Sequence, residues 1–394
     1  MSVRAYAFWC LLVAIVAGIF AGCAGDDESG DSAEIDDGDD DASPSDDDAA
    51  DDDASGDDAG GVKPKFDQER FDRLLDQAGG KEFFDFEPVK EKPAYNGYTR
   101  FTFSKDDMRC YDGTAAAVDI SPGDPERVMF FMEGGGASWP GYNLAFQIEF
   151  LLDIGFKNRH AENPLRDWTI VYVPYCDNSI HAGDGEYPVG NRTVYHHGMR
   201  HTAASAALTA RLFPNAKKVL VTGSSAGGFG TYIAWPMIKY VYPNAKTYVL
   251  PDSGVGFWDP SQPETWETIR TSWNLHIPEE CTRCDGPIMT WLYDLYLEID
   301  PQLRIGMFTA WHDGIISGWF LKMNKYAFEG LLRGVTDEID ASHPDRFNRF
   351  FIAGDSHTCY ELLLPGGANY AVDGVSLYQW IDRLVNDDPA WDER

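Results

Sequence analysis

Apolar residues along this chain follow two periods, and the periods alternate. Runs that are wholly apolar, or apolar at every second residue, fall at 99–103, 115–120, 128–132, 168–174, 219–222, 246–250, 304–309 and 347–353. Each has the length of a strand, and near-continuous apolar strands belong to a parallel sheet buried on both faces. Between them, spacings of three and four predict helices over 66–77, 144–152, 194–212, 228–242 and 374–385. Strands alternating with helices predict an α/β fold, a mainly parallel sheet covered on both faces. The stretch 260–301, with Trp266, Trp273 and Trp291, breaks the alternation and reads as a cap or lid insertion.

The pattern acquires chemistry at Val219 to Tyr232, VLVTGSSAGGFGTY. A strand meets Gly223-Ser224-Ser225-Ala226-Gly227 and a helix follows, so a G-x-S-x-G sets Ser225 at the tip of a tight turn. Only glycine-sized neighbours let two backbones approach so closely. The turn lifts the serine hydroxyl clear of the sheet and aims the Ala226 N–H at an oxyanion formed there. The buried run 128–132 leads into Glu133-Gly134-Gly135-Gly136-Ala137. These glycines read either as the second wall of an oxyanion hole or as a flexible loop.

A serine nucleophile needs a base, and the base needs an acid to orient it. In the α/β-hydrolase arrangement they occur in the order Ser, Asp or Glu, His, at the C-terminal ends of strands. Ser225, Asp313 and His357 occupy that order. His357 would take the Ser225 proton and later protonate the leaving alcohol, while Asp313 would fix the imidazole tautomer. Asp252, also after a strand, is the rival acid; His197, His201 and His312 are the rival bases. His197 and His201 stand four apart beside His196, a spacing that can meet a metal, but no H-E-x-x-H accompanies them and no metal is expected. Gly135, Ser138, Trp139 and Tyr175, on and near the loops that follow these strands, are the candidate substrate contacts.

Charge is spread unevenly. Positions 26–60 hold 18 acidic and no basic residues, so of the net −32 the remainder keeps only −14. Without clustered Lys and Arg, nucleic acid is excluded as a partner. Positions 23–61 read as an acidic disordered tether, short of apolar residues and lacking a calcium-loop pattern. Before it, Arg4 and the apolar run 8–20 make 1–22 a signal peptide, too short for a membrane span. Ala21-Gly22-Cys23 has the form of a bacterial lipoprotein cleavage site, with Cys23 lipidated; an ordinary signal containing a cysteine is the alternative. Two acyl chains anchor stably where one is marginal. Residues 62–394 form the folded domain, and nothing in them calls for an oligomer.

Cys110, Cys176, Cys281, Cys284 and Cys359 remain in that domain, an odd number that leaves one thiol free or paired between molecules. Cys281 and Cys284 form a C-x-x-C that closes a small disulfide or makes half a zinc site; no second C-x-x-C completes four ligands.

Several segments together resemble the pectin acetylesterase/Notum family: Cys110-Tyr-Asp-Gly-Thr, FFMEGGGAS from Phe130, Tyr175-Cys176-Asp177, TGSSAGG, PDSGVGFWD from Pro251, TAWHDG and GDSHTCY. The resemblance runs from about Cys110 to the C-terminus. It implies a serine carboxylic ester hydrolase of α/β-hydrolase type that needs no cofactor. Carried onto this chain, it implies Ser225 as nucleophile, Asp313 as acid, His357 as base, and Gly136, Ala137 and Ala226 as oxyanion donors. Where the family often has Trp then Cys after the glycines, this chain has Ala137 and Ser138. That departure touches the pocket wall, and a disulfide partner, more than the reaction. The expectation is an esterase lipid-anchored in the bacterial cell envelope, deacetylating a polysaccharide. A long-chain O-deacylase or lipid esterase, and a non-catalytic surface binding protein, are the alternatives.

Overall fold

In the computed structural model, which describes residues 65–145, 155–284, 286–359, 370–392 and 394, the apolar runs become strands of one sheet. In chain order the strands are β1 (Pro88–Pro93), β2 (Thr99–Phe103), β3 (Ala117–Ser121), β4 (Asp124–Met132), β5 (Gly136–Trp139), β6 (Tyr142–Ala145), β7 (Trp168–Val173), β8 (Gly185–Val189), β9 (Arg192–His196), β10 (Lys218–Ser224), β11 (Lys246–Asp252), β12 (Arg304–Ala310), β13 (Phe347–Ile352), β14 (Ala371–Val372) and β15 (Val375–Ser376). The α-helices are α1 (Gln68–Ala78), α2 (Gly198–Leu212), α3 (Ala226–Val241), α4 (Pro263–Ser272), α5 (Trp291–Ile299), α6 (Lys325–Ser342) and α7 (Leu377–Val385). The signal and tether readings lie outside the described residues.

The sheet runs β1-β2-β3-β7-β4-β10-β11-β12-β13. From β7 to β13 neighbouring strands are parallel, and β1 to β3 add an antiparallel edge. This is the α/β fold that the alternation predicts. After β4 the chain crosses to β7 on one side, then returns to β10 on the other. Strand order therefore reverses between β4 and β10, where an open α/β sheet has a crevice at its C-terminal edge. Both glycine turns, after β4 and after β10, open at that crevice.

Two-residue periodicity decides which side chains meet which layer. On β4, Val128, Phe130 and Met132 join the core that contains Trp235 and Tyr293, while Met129 and Phe131 join the opposite core with Trp380 and Leu384 of α7. Both faces are dry, which is why these strands lack polar alternation. Strand β1 is the contrary case: PVKEKP is almost wholly exposed at the sheet edge, and its prolines and lysines suit an unpaired edge.

Four expectations need correction. Leu144, placed by its spacing on a helix, pairs with Ala137 in the β5–β6 hairpin; most of the helix expected over 144–152 lies outside the described residues. The helix expected from 194 begins at Gly198, because Val194 to His196 pair with Tyr187 to Gly185. The helix expected from 374 begins at Leu377, after Val375 and Ser376 pair with β14. The fourth concerns the supposed lid, 260–301. It ends in α5, whose Leu292, Tyr293, Tyr296 and Ile299 are fully buried. Tyr293 stacks on Tyr232 of α3 with centroids 4.0 Å apart, so α5 is packed into the helical layer over α3, within the connection from β11 to β12. Tyr293→Ala should accordingly lower unfolding free energy by about 3–5 kcal/mol. A melting temperature equal to wild type would return α5 to the role of a lid.

Candidate active site

The turn after β10 is built by close backbone contact. Ser225 has φ 56° and ψ −118°, a strained conformation that it holds while starting α3. A Cβ on Gly227 would sit 2.0 Å from the Met132 carbonyl oxygen, so only glycine lets α3 start beside β4. A Cβ on Gly134 would come within 3.0 Å of the Ser225 Cβ. The glycine loop thus passes directly over the serine.

Asp313 and His357 are brought together across 44 residues of sequence. The His357 Nδ1 lies 2.9 Å from Asp313 Oδ2 and 3.1 Å from Oδ1. Asp313 is fully buried and also accepts the amides of Ile315 and Ile316, at 3.1 and 2.9 Å, capping the π-helical turn Gly314–Phe320. Burial pulls the His357 pKa down, but the charges of Asp313 and Asp252 outweigh it and leave the imidazole above its ordinary 6.5.

Asp252, the rival acid, is a clamp. Its carboxylate accepts the Ser224 hydroxyl at 2.7 Å and the Cys359 amide at 3.0 and 3.1 Å, and its carbonyl accepts the Ser225 amide at 2.8 Å. Next to it, Ser253 Oγ accepts the Thr358 amide at 2.9 Å. The loop carrying His357 is thereby tied to the turn carrying Ser225. Burial pushes the Asp252 carboxyl up to about 6, against the donors that favour its charge.

The remaining sequence candidates separate clearly. Ala226 opens α3 behind the serine. Gly136 and Ala137, expected as donors in the second wall of an oxyanion hole, with a flexible loop as the alternative, lie in β5, opposite Ala145 and Leu144. Gly135 is half-buried between Gly134 and that strand. Ser138 is buried, its amide donating to Asn178 O at 2.9 Å and its carbonyl accepting Trp273 Nε1 at 2.7 Å. Tyr175 is buried too. Its hydroxyl donates to Gly136 O at 2.6 Å and accepts the Ile180 amide at 3.0 Å. Both residues, expected at the substrate, instead brace the glycine wall from behind.

Trp139 does face open space. With Tyr142, Trp258, Phe320 and Lys322 it lines a cleft of about 200 Å³. Phe229, one turn after Ser225, touches the rings of Trp258 and Phe320 at 5.4 and 5.8 Å, so the cleft adjoins the helix that carries the serine.

The rival histidines have other partners. His201 donates to Ala117 O at 2.8 Å and His196 to Asp177 O at 2.7 Å, and burial pushes both down to about 4. His197 lies between the Arg109 amide and Glu186, and His312 pairs with Glu329. Among the described residues, Cys110 is bonded to Cys176 and Cys281 to Cys284, leaving Cys359 as the buried free thiol. A support that sequence reasoning missed is the buried pair Glu133–Lys157, at 3.1 Å. Glu133 also receives the Gly134 amide on its carboxylate and His181 Nε2 on its carbonyl. Nothing in the spacing of Lys157 signals burial.

The pairing of Asp313 with His357 has a measurable sign. In an NMR titration the His357 ring should protonate above pH 6.5 in the native protein and at lower pH in Asp313→Asn. Its contribution to stability should be complete below about pH 6.5 and vanish as pH rises through the raised folded value. Superimposable titrations of the two proteins would refute the pairing.

Residues 147–284 match the family profile described as pectinacetylesterase. Palmitoleoyl-protein carboxylesterase notum1' of Xenopus laevis is 22% identical over 249 residues, 52% of this chain and 49% of that protein. Palmitoleoyl-protein carboxylesterase NOTUM of Homo sapiens is 23% identical over 240 residues, 52% of this chain and 48% of that one. Pectin acetylesterase 11 of Arabidopsis thaliana is 26% identical over 163 residues, 37% and 42% of the two chains. The chain spans about half the length, or less, of these curated relatives. With the mainly parallel sheet and the serine turn after β10, these matches make the chain similar to pectin acetylesterases and to the Notum carboxylesterases over part of its length.

Proposed function

We propose that the protein hydrolyses carboxylic esters with Ser225, His357 and Asp313 as its working groups. The observation that carries this reading is the contact between buried Asp313 and His357 Nδ1, on a loop tied to the serine turn. With Nδ1–H donated to Asp313, the other ring nitrogen is left to accept the serine proton. Ser225 Oγ bonds to the acyl carbon as its proton passes to His357, and the carbonyl becomes an oxyanion. The Ala226 amide receives that charge, with the Gly136–Ala137 wall opposite. Collapse breaks the bond to the alcohol, which leaves with the proton from His357. Water, deprotonated by the same imidazole, then releases the acid and restores Ser225. Each step transfers one proton and needs no redox partner.

The substrate in this reading is a short acyl ester on a polysaccharide, in keeping with the pectinacetylesterase profile and the aromatic cleft beside α3. The alternative is removal of a long acyl chain, which two relatives' names describe. Export, with Cys23 lipidated and 23–61 spacing the domain from a membrane, completes the proposal.

Ser225→Ala should lower hydrolysis of an aryl acetate by roughly 10⁴-fold or more without moving the melting temperature. Substantial turnover by that variant would end the serine mechanism. An aryl ester series from acetyl to palmitoleoyl separates the substrate readings, with the highest kcat/KM expected at the short end. For the anchor, metabolic palmitate labelling in a bacterial host should mark the full chain and miss Cys23→Ala; equal labelling of both would remove the lipoprotein assignment.

A further inference from the structure

We infer that Asp252 is a positioning residue of the reaction, holding the nucleophile turn and the histidine loop in one geometry and adding a second negative charge near His357. This rests on the ester-hydrolase reading above. Three facts converge on it. The Asp252 side chain is fully buried, with the Ser224 hydroxyl and the amide and thiol of Cys359 as its neutral donors. Its two ties lead in opposite directions, to the residue before Ser225 and to the second residue after His357. Its main chain continues both ties, through its own carbonyl to the Ser225 amide and through Ser253 to the Thr358 amide.

A simple staple would not need a charge. A neutral acceptor would make the Ser224 and Cys359 hydrogen bonds without the cost of burying a carboxylate. The charge has a use only where a cation forms nearby, and that cation is His357 once it holds the serine proton. Asp313, in contact, fixes the ring; Asp252, farther off, adds to the same stabilisation. The titratable groups facing Asp252 are His357 and Cys359, both on the loop after β13; those facing His357 are Asp313 and Asp252.

The test is Asp252→Asn in the full protein, assayed on an aryl acetate. Rates are normalised to the fraction of chains that a fluorophosphonate labels after exhaustive incubation. The amide nitrogen faces a donor that the carboxylate accepted, and the charge is gone. Expected are a kcat per labelled site lower by roughly 10–100-fold, a KM within about threefold, and an acid limb of kcat/KM displaced to lower pH. A purely structural role would reduce the labelled fraction and the melting temperature while leaving kcat per site and the acid limb where they were; that result overturns the proposal. Should Asp252→Asn not fold, Ser224→Ala removes one donor and keeps the charge. It should cost about 3–10-fold in kcat per site with an unmoved acid limb, and a wild-type rate would equally overturn the clamp. Activity surviving in Ser225→Ala would sink the mechanism itself. An inactive Ser225→Ala beside an unimpaired Asp252→Asn would sink this inference alone.

Discussion

A carboxylate sealed from water must find its donors inside the protein, and Asp252 finds them on two loops that sequence keeps far apart. Ser224 and Cys359 are separated by the whole of α3, β11, α4, α5, β12, α6 and β13, yet both donate to the same side chain. Leaving that charge unpaired would be costly enough to make the two loops settle together or not at all. The proximity of the histidine loop to the serine turn follows from that demand.

The other constraint is backbone distance. Strand β10 lies between β4 and β11, with Gly223 in register with Met132 on one side and Pro251 on the other. A helix leaving the end of such a strand runs straight into its neighbours' carbonyls unless its first turn carries no side chains. Gly227 meets that condition against Met132, and Ser225 absorbs the remaining strain in its own φ and ψ. The glycine wall from β4 is then held by buried polar contacts: Glu133 with Lys157, and the Tyr175 hydroxyl on Gly136. In the proposed mechanism, a preorganised wall of this kind acts on an oxyanion without moving.

Lys157 shows how a charge survives at zero exposure. Its ammonium lies 3.1 Å from Glu133, 4.5 Å from the Phe131 ring centroid and 4.3 Å from that of Tyr172. Ion pair and ring faces together replace the water it gave up. The aromatic cluster across the cleft is of a different kind. Trp139, Trp258, Trp273 and Phe320 meet edge-on or tilted, come from four separate segments, and join the ends of β5, β11 and the π-helical turn into one surface.

Much of this was legible in the chain. Unbroken apolar runs give away strands buried on both faces, and so the parallel half of the sheet; G-x-S-x-G between strand and helix has few other structural uses. Asp313 and His357 were legible as residues just past strand ends. Strands without a buried face were not. The exposed β1 and the β8–β9 hairpin show no apolar period, and Leu144 has the same spacing on a hairpin as on a helix. The role of α5 was hidden for the opposite reason, since a helix apolar on most of its faces looks irregular until its neighbours are known. Local periodicity, set by covalent geometry, thus determined the strands, the glycine-serine turn and the order of Ser225, Asp313 and His357 along the chain. The use of each carboxylate was decided only by tertiary structure, because Asp252 and Asp313 occupy equivalent places in sequence. Asp252 joins donors from two loops while Asp313 touches the imidazole directly, and those surroundings exist only once the sheet has closed.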